Sequence, residues 1–354
     1  MKPSKLLLLA AVAAILVALA FWSNQQTRAT PPAAVGQRLL PRLELASIAR
    51  VEIAGRGAPI ALVRMDSGWV VTNLFNYPAD VVKLQSALLQ LAEQKIGDVT
   101  RGVNIDTNAT LVDLQDASGR PLATLRLGPP SAERPGVRPR QGRTVAVAGD
   151  SQVYCVKDSL SEFDGEPRDW IDSQLLRLSS ADIQRIELAS PTGAVLTLTR
   201  NTGTLQLQGI ATNEEFEAGH SYGIESAFCY LSFVTVADPK LTNSQTGMLA
   251  PSVYRVQLKN GDVYTARIGA TATNGCRYLH MEAALAPAGT NAAAQAELAA
   301  RKTELDQKLG KWTYLLSATA AENMTRTRAE LVKAKAVATN ESATAKAPAL
   351  INTP

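Results

Sequence analysis

Few residues in this chain suit oxidative cross-linking, metal capture or phosphate binding. Its three cysteines, Cys155, Cys229 and Cys276, are odd in number and include no CxxC pair, which excludes a disulfide framework. A single Cys229–Cys276 bond stays open in an oxidising compartment, and small buried residues are the preferred reading. The two histidines, His220 and His280, would form a zinc site with Cys229 and Cys276 only if all four converged. Cys276 and His280 are four apart on an expected strand, about 13 Å of chain, which is too far to share one ion. No metal or other cofactor is therefore expected. Neither GxxxxGK[ST] nor a strand followed by GxGxxG occurs, so phosphate loops are missing. Net charge is only +4, aromatics make up 5% and the basic residues are scattered, which argues against nucleic acid as a partner.

What is present is a chain of 354 residues, 46% hydrophobic and 19% charged, enough for about two domains with cores of their own. Lys2 and Lys5 precede an uncharged apolar run, 6–22, ending in Phe21 and Trp22. The run just reaches across a hydrocarbon core of about 30 Å when Ser23 and Asn24 are included. It is read as a transmembrane anchor over 1–24, with cleavage after Ala18-Leu19-Ala20 as the alternative. The absence of a following cysteine argues against a lipoprotein, and the flanking lysines put the remainder on the extracytoplasmic side, the periplasm in a bacterium.

Behind this segment the same pattern runs twice. Residues 81–98 align without a gap to 221–238, each an amphipathic helix and a short extended stretch. Ala49-Arg50-Val51-Glu52-Ile53 is echoed by Gln184-Arg185-Ile186-Glu187-Leu188, and the segment beginning at Asp113 by the one beginning at Gln257. Such spacing marks an internal repeat. The expected architecture is α+β, with two tandem modules of antiparallel sheet and one main helix each. A flexible tether covers 25–42, the first module 43–178, the second 179–290, a helical segment 291–332 and a disordered tail 333–354.

In the first module alternation predicts strands over 48–54, 58–65 and 68–71. A helix follows, with Pro78 just inside its start, Asp80 in its first turn, and Val81, Leu84, Leu88 and Leu91 at helical spacing. Later strands fall at 95–100, 110–116, 122–127, 144–148 and 152–156. The second module reads 183–189, 194–200 and 204–208, a helix over 221–233, then 254–259, 263–268 and 276–282. Leu298, Leu305 and Trp312 recur at seven with Leu309 and Leu316 four behind, an apolar stripe expected to pack on the second module. The heptad is too brief for a coiled coil.

One segment looks catalytic. Gly219-His220-Ser221-Tyr222-Gly223 matches the G-x-S-x-G nucleophile elbow, and Asp238 or Asp262 with His280 completes a serine hydrolase order. An elbow needs a buried strand running into the serine, whereas Asn213-Glu214-Glu215-Phe216-Glu217 reads as an acidic loop. Ser221 aligns with Val81 and His220 with Asp80, so Ser221 is expected to cap a helix. Glu214 and Glu215 are read as solvated surface rather than a glycosidase pair. Trp69 and Trp170 are read as core anchors. No catalytic, cofactor-binding or metal-binding residue is assigned.

Gly68-Trp69-Val70-Val71, Tyr77-Pro78-Ala79-Asp80 with its Leu-rich helix, 122–128, Val153-Tyr154 and Asp169-Trp170-Ile171-Asp172 together resemble a bacterial envelope family catalogued as a domain of unknown function. The likeness covers 43–281 and is strongest in the first copy. In the second, Thr204 stands for the tryptophan and Ala218-Gly219-His220 for the Tyr-Pro-Ala-Asp element. Members are often encoded beside ABC transporter subunits of the gliding-motility type. The resemblance implies a non-enzymatic, inner-membrane-anchored auxiliary subunit partnered by ABC transporter membrane subunits. The alternatives are a stand-alone envelope binding module for a glycan or protein, and a serine hydrolase using Ser221.

Overall fold

The computed structural model describes residues 34–335, apart from 56, 101–104, 106–108, 131–141, 288 and 290. Two compact units divide between Asp172 and Ser173. In the first, β1 (Arg50–Ala54), β2 (Ile60–Met65), β3 (Gly68–Val71) and β4 (Tyr77–Pro78) form a meander. Helix α1 (Val81–Glu93) follows, then β5 (Ile96–Thr100), β6 (Thr110–Gln115), β7 (Pro121–Pro130), β8 (Arg143–Val147) and β9 (Val153–Val156). They make one antiparallel nine-stranded sheet, ordered β4-β3-β2-β1-β6-β7-β8-β9-β5. Alternate residues Val51, Ile53, Ile60 and Leu62 are buried, as are Leu84, Ala87, Leu88 and Leu91 of α1, so the helix stripe and the inner sheet face supply one core.

The second unit holds β10 (Ile183–Ala189), β11 (Val195–Thr202), β12 (Thr204–Leu207), β13 (Glu214–Phe216), helix α2 (Ala218–Cys229) and β14 (Thr235–Val236). Next come α3 (Asn243–Thr246), β15 (Ser252–Leu258), β16 (Val263–Thr271), β17 (Arg277–Ala284) and α4 (Ala292–Leu305). It ends with β18 (Tyr314–Leu316), α5 (Ala318–Met324), α6 (Arg328–Leu331) and β19 (Val332–Ala334). The eight-stranded sheet runs β12-β11-β10-β15-β16-β17-β18-β14. Phe228 of α2 lies 5.5 Å from Tyr254 and 5.9 Å from Tyr264, ring centre to ring centre, and the Tyr254 hydroxyl donates to the Ile224 carbonyl at 2.7 Å. These contacts seat α2 on the inner face.

With β4 set aside, the two orders coincide strand for strand, and the central registers correspond. Val51 pairs Leu62 and Leu62 pairs Val71, while Ile186 pairs Leu198 and Leu198 pairs Leu207. Arg50 faces Gln115 as Arg185 faces Gln257, so Gln115, not Asp113, is the counterpart of Gln257. Trp69 pairs Arg64 as Leu205 pairs Arg200. Leu205 therefore replaces the tryptophan, and Thr204 is one position short. The bulge recurs as well: the ladder shifts between Leu127 and Pro130, and between Ile268 and Thr271. At each bulge a Thr-x-Arg-x-Gly run, Thr124 to Gly128 or Thr265 to Gly269, meets an arginine whose Nε donates to the glycine carbonyl. These bonds are Arg143 to Gly128 at 2.5 Å and Arg277 to Gly269 at 2.7 Å.

Several boundaries differ from expectation. Pro78 belongs to β4, and Asp80 is the cap of α1, accepting from the Lys83 amide at 3.0 Å. Helix α2 begins at Ala218 and ends at Cys229, because the backbone around Leu231 and Phe233 bonds to Leu175 and Ser173 instead. Residues 291–332 are not wholly helical: Leu316 lies in β18, a strand inside the sheet between β17 and β14. Within the described part of the expected tether, Leu39 and Leu40 are buried, and the Leu39 amide donates to the Gln94 carbonyl at 2.7 Å. Lys333 and Ala334, placed in the tail, pair with β13. The expected anchor lies outside the described residues; no helix among those described is long and apolar enough to cross a membrane.

Candidate functional site

Of the catalytic-looking motif, Gly223 is taken up by packing, and the backbone of Ser221 is part of a helix. Ser221 is the fourth residue of α2, inside the helix rather than at its cap, and the preceding Glu217 makes no side-chain capping bond. Glu214, Glu215 and Phe216 form a strand after all, paired with β19, and Glu214 is bound by Arg328. The strand does not run directly into the serine. A Cβ on Gly223 would fall 2.9 Å from Asn323 Oδ1 of α5, so this glycine serves helix-to-helix approach. Asp238 accepts from the Lys240 amide in a turn. His280 lies in β17 with Nδ1 3.3 Å from the Trp312 carbonyl. Cys276 immediately precedes that strand, and all three cysteines are free thiols. Among the described residues no three His, Cys, Asp or Glu side chains are grouped to hold a metal.

Asp262 has a different task. Its side chain is 3% exposed, with Oδ1 accepting from the Ala286 amide at 2.9 Å and Oδ2 from Arg301 at 2.8 Å and Asn260 at 2.9 Å. It fastens both the start of the excursion after β17 and helix α4 to the β15–β16 turn. Burial pushes its pKa up, but the hydrogen bonds from Ala286, Asn260 and Arg301 outweigh this and hold the carboxyl below its ordinary value. The contribution is therefore present above the unfolded value of about 3.9 and is lost as pH falls through the lower folded value. The excursion is pinned a second time where α4 passes into a wider turn, Asp306–Gly310, whose Leu309 is fully buried. The expected stripe is thus split: Leu309, Trp312 and Leu316 are buried, whereas α4 itself buries no residue.

Between this excursion and the outer face of the second sheet lies a groove of about 570 Å³. Strand alternation puts the inner residues Ile186, Leu188, Tyr254 and Val256 in the core, so their neighbours Arg185, Glu187, Arg255 and Gln257 face outward into the groove. The paired row across the strands reads Glu187, Arg255, Thr265, Glu282. Lys302 and Asp306 complete the other wall. Arg185 Nη2 is 2.6 Å from Glu187 Oε1, and Arg255 Nη1 is 4.0 Å from Glu187 Oε2. Glu282 is paired by Arg267 at 3.4 Å, and Asp306 by Lys302. The groove is lined by charged side chains and has a volume in the range of small-ligand clefts. Sequence reading found the Arg50-x-Glu52 and Arg185-x-Glu187 echo but assigned it to scaffold; Arg255 carried no signal until the register placed it beside Glu187.

In the first unit the motif residues brace one another. The Asp80 amide donates to the Trp170 carbonyl and the Ala79 amide to the Trp69 carbonyl, both at 2.8 Å. The Lys83 ammonium stands 5.5 Å from the centre of the Trp170 ring and bonds the Asp169 carbonyl at 2.5 Å. Trp170 is fully buried 6.0 Å from Phe163, Tyr77 is buried, and Trp69 is half-buried. Sequence reading missed the arginine at the bulge. Arg143, 1% exposed, meets Asp164 at 2.7 Å and also donates to the Ser159 and Leu160 carbonyls, while Thr110 donates to Asp164 at 2.7 Å. Its signal was the repeated Thr-x-Arg-x-Gly run.

No curated protein and no solved structure matches the chain. A family model does: residues 69–243 match the domain of unknown function DUF4340, from Trp69 in the first unit to the first residue of α3 in the second.

Proposed function

We propose that this chain is a non-enzymatic, inner-membrane-anchored extracytoplasmic protein that serves as an auxiliary subunit of an ABC transporter. The observation that carries the reading is the use made of the catalytic-looking residues: Gly223 admits α5 and Asp262 fastens α4. The apolar run 6–22 behind Lys2 and Lys5 supplies the anchor. The domain match over 69–243 agrees with the family resemblance from which the transporter association is drawn. Two copies of one sheet, with unlike outer faces, suit a protein read by partners over its surface. The test is purification of the full-length chain from its native membrane in mild detergent with mass spectrometry of what accompanies it. An ABC permease recovered in stoichiometric amount is expected. Its reproducible absence, with the chain itself recovered folded, would sink the assignment. The groove favours the second reading, a stand-alone envelope binding module, should no permease be found.

A further inference from the structure

We infer that the groove on the second sheet is an oxyanion site, taking a ligand through a carboxylate or a phosphate. This holds whether or not the chain works with a transporter. The register lets charge be compared position by position. In the first module the row is Glu52, Asp113, Thr124 and residue Ala148. Asp113 is satisfied there by Gln115 Nε2 and Thr124 Oγ1, each at 2.6 Å, and Glu52 is held by Arg50.

In the second module Arg255 occupies the position of Asp113. Two guanidiniums, Arg185 and Arg255, then share the one carboxylate of Glu187, and the second of them only at 4.0 Å. The other two acids of the groove carry cations of their own, Arg267 for Glu282 and Lys302 for Asp306. A positive charge is left over beside Glu187. A guanidinium presents five donors in a planar fork that matches a carboxylate or phosphate edge. An oxyanion between Arg185 and Arg255 would use donors that Glu187 leaves idle. Because the two side chains are 43% and 57% exposed, the attraction is screened, and affinity falls as salt rises.

The test is calorimetric titration of the full-length chain in neutral detergent at low salt, with inorganic phosphate in one arm and citrate in the other. Saturable binding of at least one probe below about 10 mM is expected, weakening with added sodium chloride. Arg255→Asp, which installs the first module's residue, should weaken it by more than about tenfold, and Arg255→Gln by less. Arg50→Gln in the first module should leave it within about twofold, being outside the groove. Phosphate binding without citrate binding identifies a phosphate site, and the reverse a carboxylate site. No saturable binding of either probe overturns the proposal. So does binding that Arg255→Asp leaves unchanged while circular dichroism shows that variant folded.

Discussion

In the first module the strand that carries Arg143 turns back into β9 through residues 148–152; in the second, the same connection runs from Ala284 to Tyr314 and holds α4. The long insertion of the first module falls one hairpin earlier, between Pro130 and Arg143, where the second needs only residues 272–276. Apart from β4, the sheets beneath share one strand order and correspond in their central registers. The comparison teaches that the duplicated scaffold tolerates change at its turns and on its outer faces, where few buried groups are disturbed, but keeps the bulge, the glycine and the arginine. The bulge arginines themselves are used unequally: Arg143 is buried against Asp164, whereas Arg277 is half-buried.

The largest effect expected concerns that inequality. Asp164→Ala strands a buried guanidinium and should cost about 3 kcal/mol, the lower end for a broken buried pair because Asp164 is itself partly exposed. Arg277→Met, which removes a bond to one carbonyl, should cost about 1 kcal/mol. Hydrogen exchange read peptide by peptide, in increasing urea, reports each module separately. Equal losses in the two modules would break the comparison.

The glycines of the bulge sharpen it next. A Cβ on Gly269 would lie 2.0 Å from the Thr246 carbonyl oxygen, which is backbone; one on Gly128 would lie 2.3 Å from Thr144 Oγ1, which is a side-chain atom. Both alanine substitutions should destabilise by about 1–3 kcal/mol, with Gly269→Ala the more costly. Thermal denaturation of the two variants checks the order, and the reverse ranking would mean that the α3 backbone yields more easily than the Thr144 side chain.

The smallest difference lies at the helix starts. Asp80 caps α1 and Glu217 does not cap α2. Asp80→Ala should therefore cost about 1 kcal/mol, against less than about 0.5 kcal/mol for Glu217→Ala, whose Lys333 pair is surface-exposed. Urea midpoints distinguish them.

Much of the scaffold was legible. Strand alternation and the stripe of Leu84, Leu88 and Leu91 are local patterns, set by which residues must leave water together. Tyr314, Leu315 and Leu316 were not legible as a strand, since three residues after an Ala-rich helix carry too little periodicity to separate from it. Nor could sequence locate Leu205 as the counterpart of Trp69, because an offset of one residue in a short strand is settled by the ladder. The groove was hidden for a related reason: Arg185 and Arg255 are seventy positions apart in the chain and become neighbours only through the pairing of β10 with β15.

The sequence by itself determined that the chain is built twice from antiparallel strands and a helix, because burial periodicity is written in neighbouring residues. Tertiary structure alone decided that Gly223 and Asp262 serve packing and that an arginine surplus gathers on one outer face. Both outcomes depend on which distant groups share a few ångströms, and no local pattern encodes that distance.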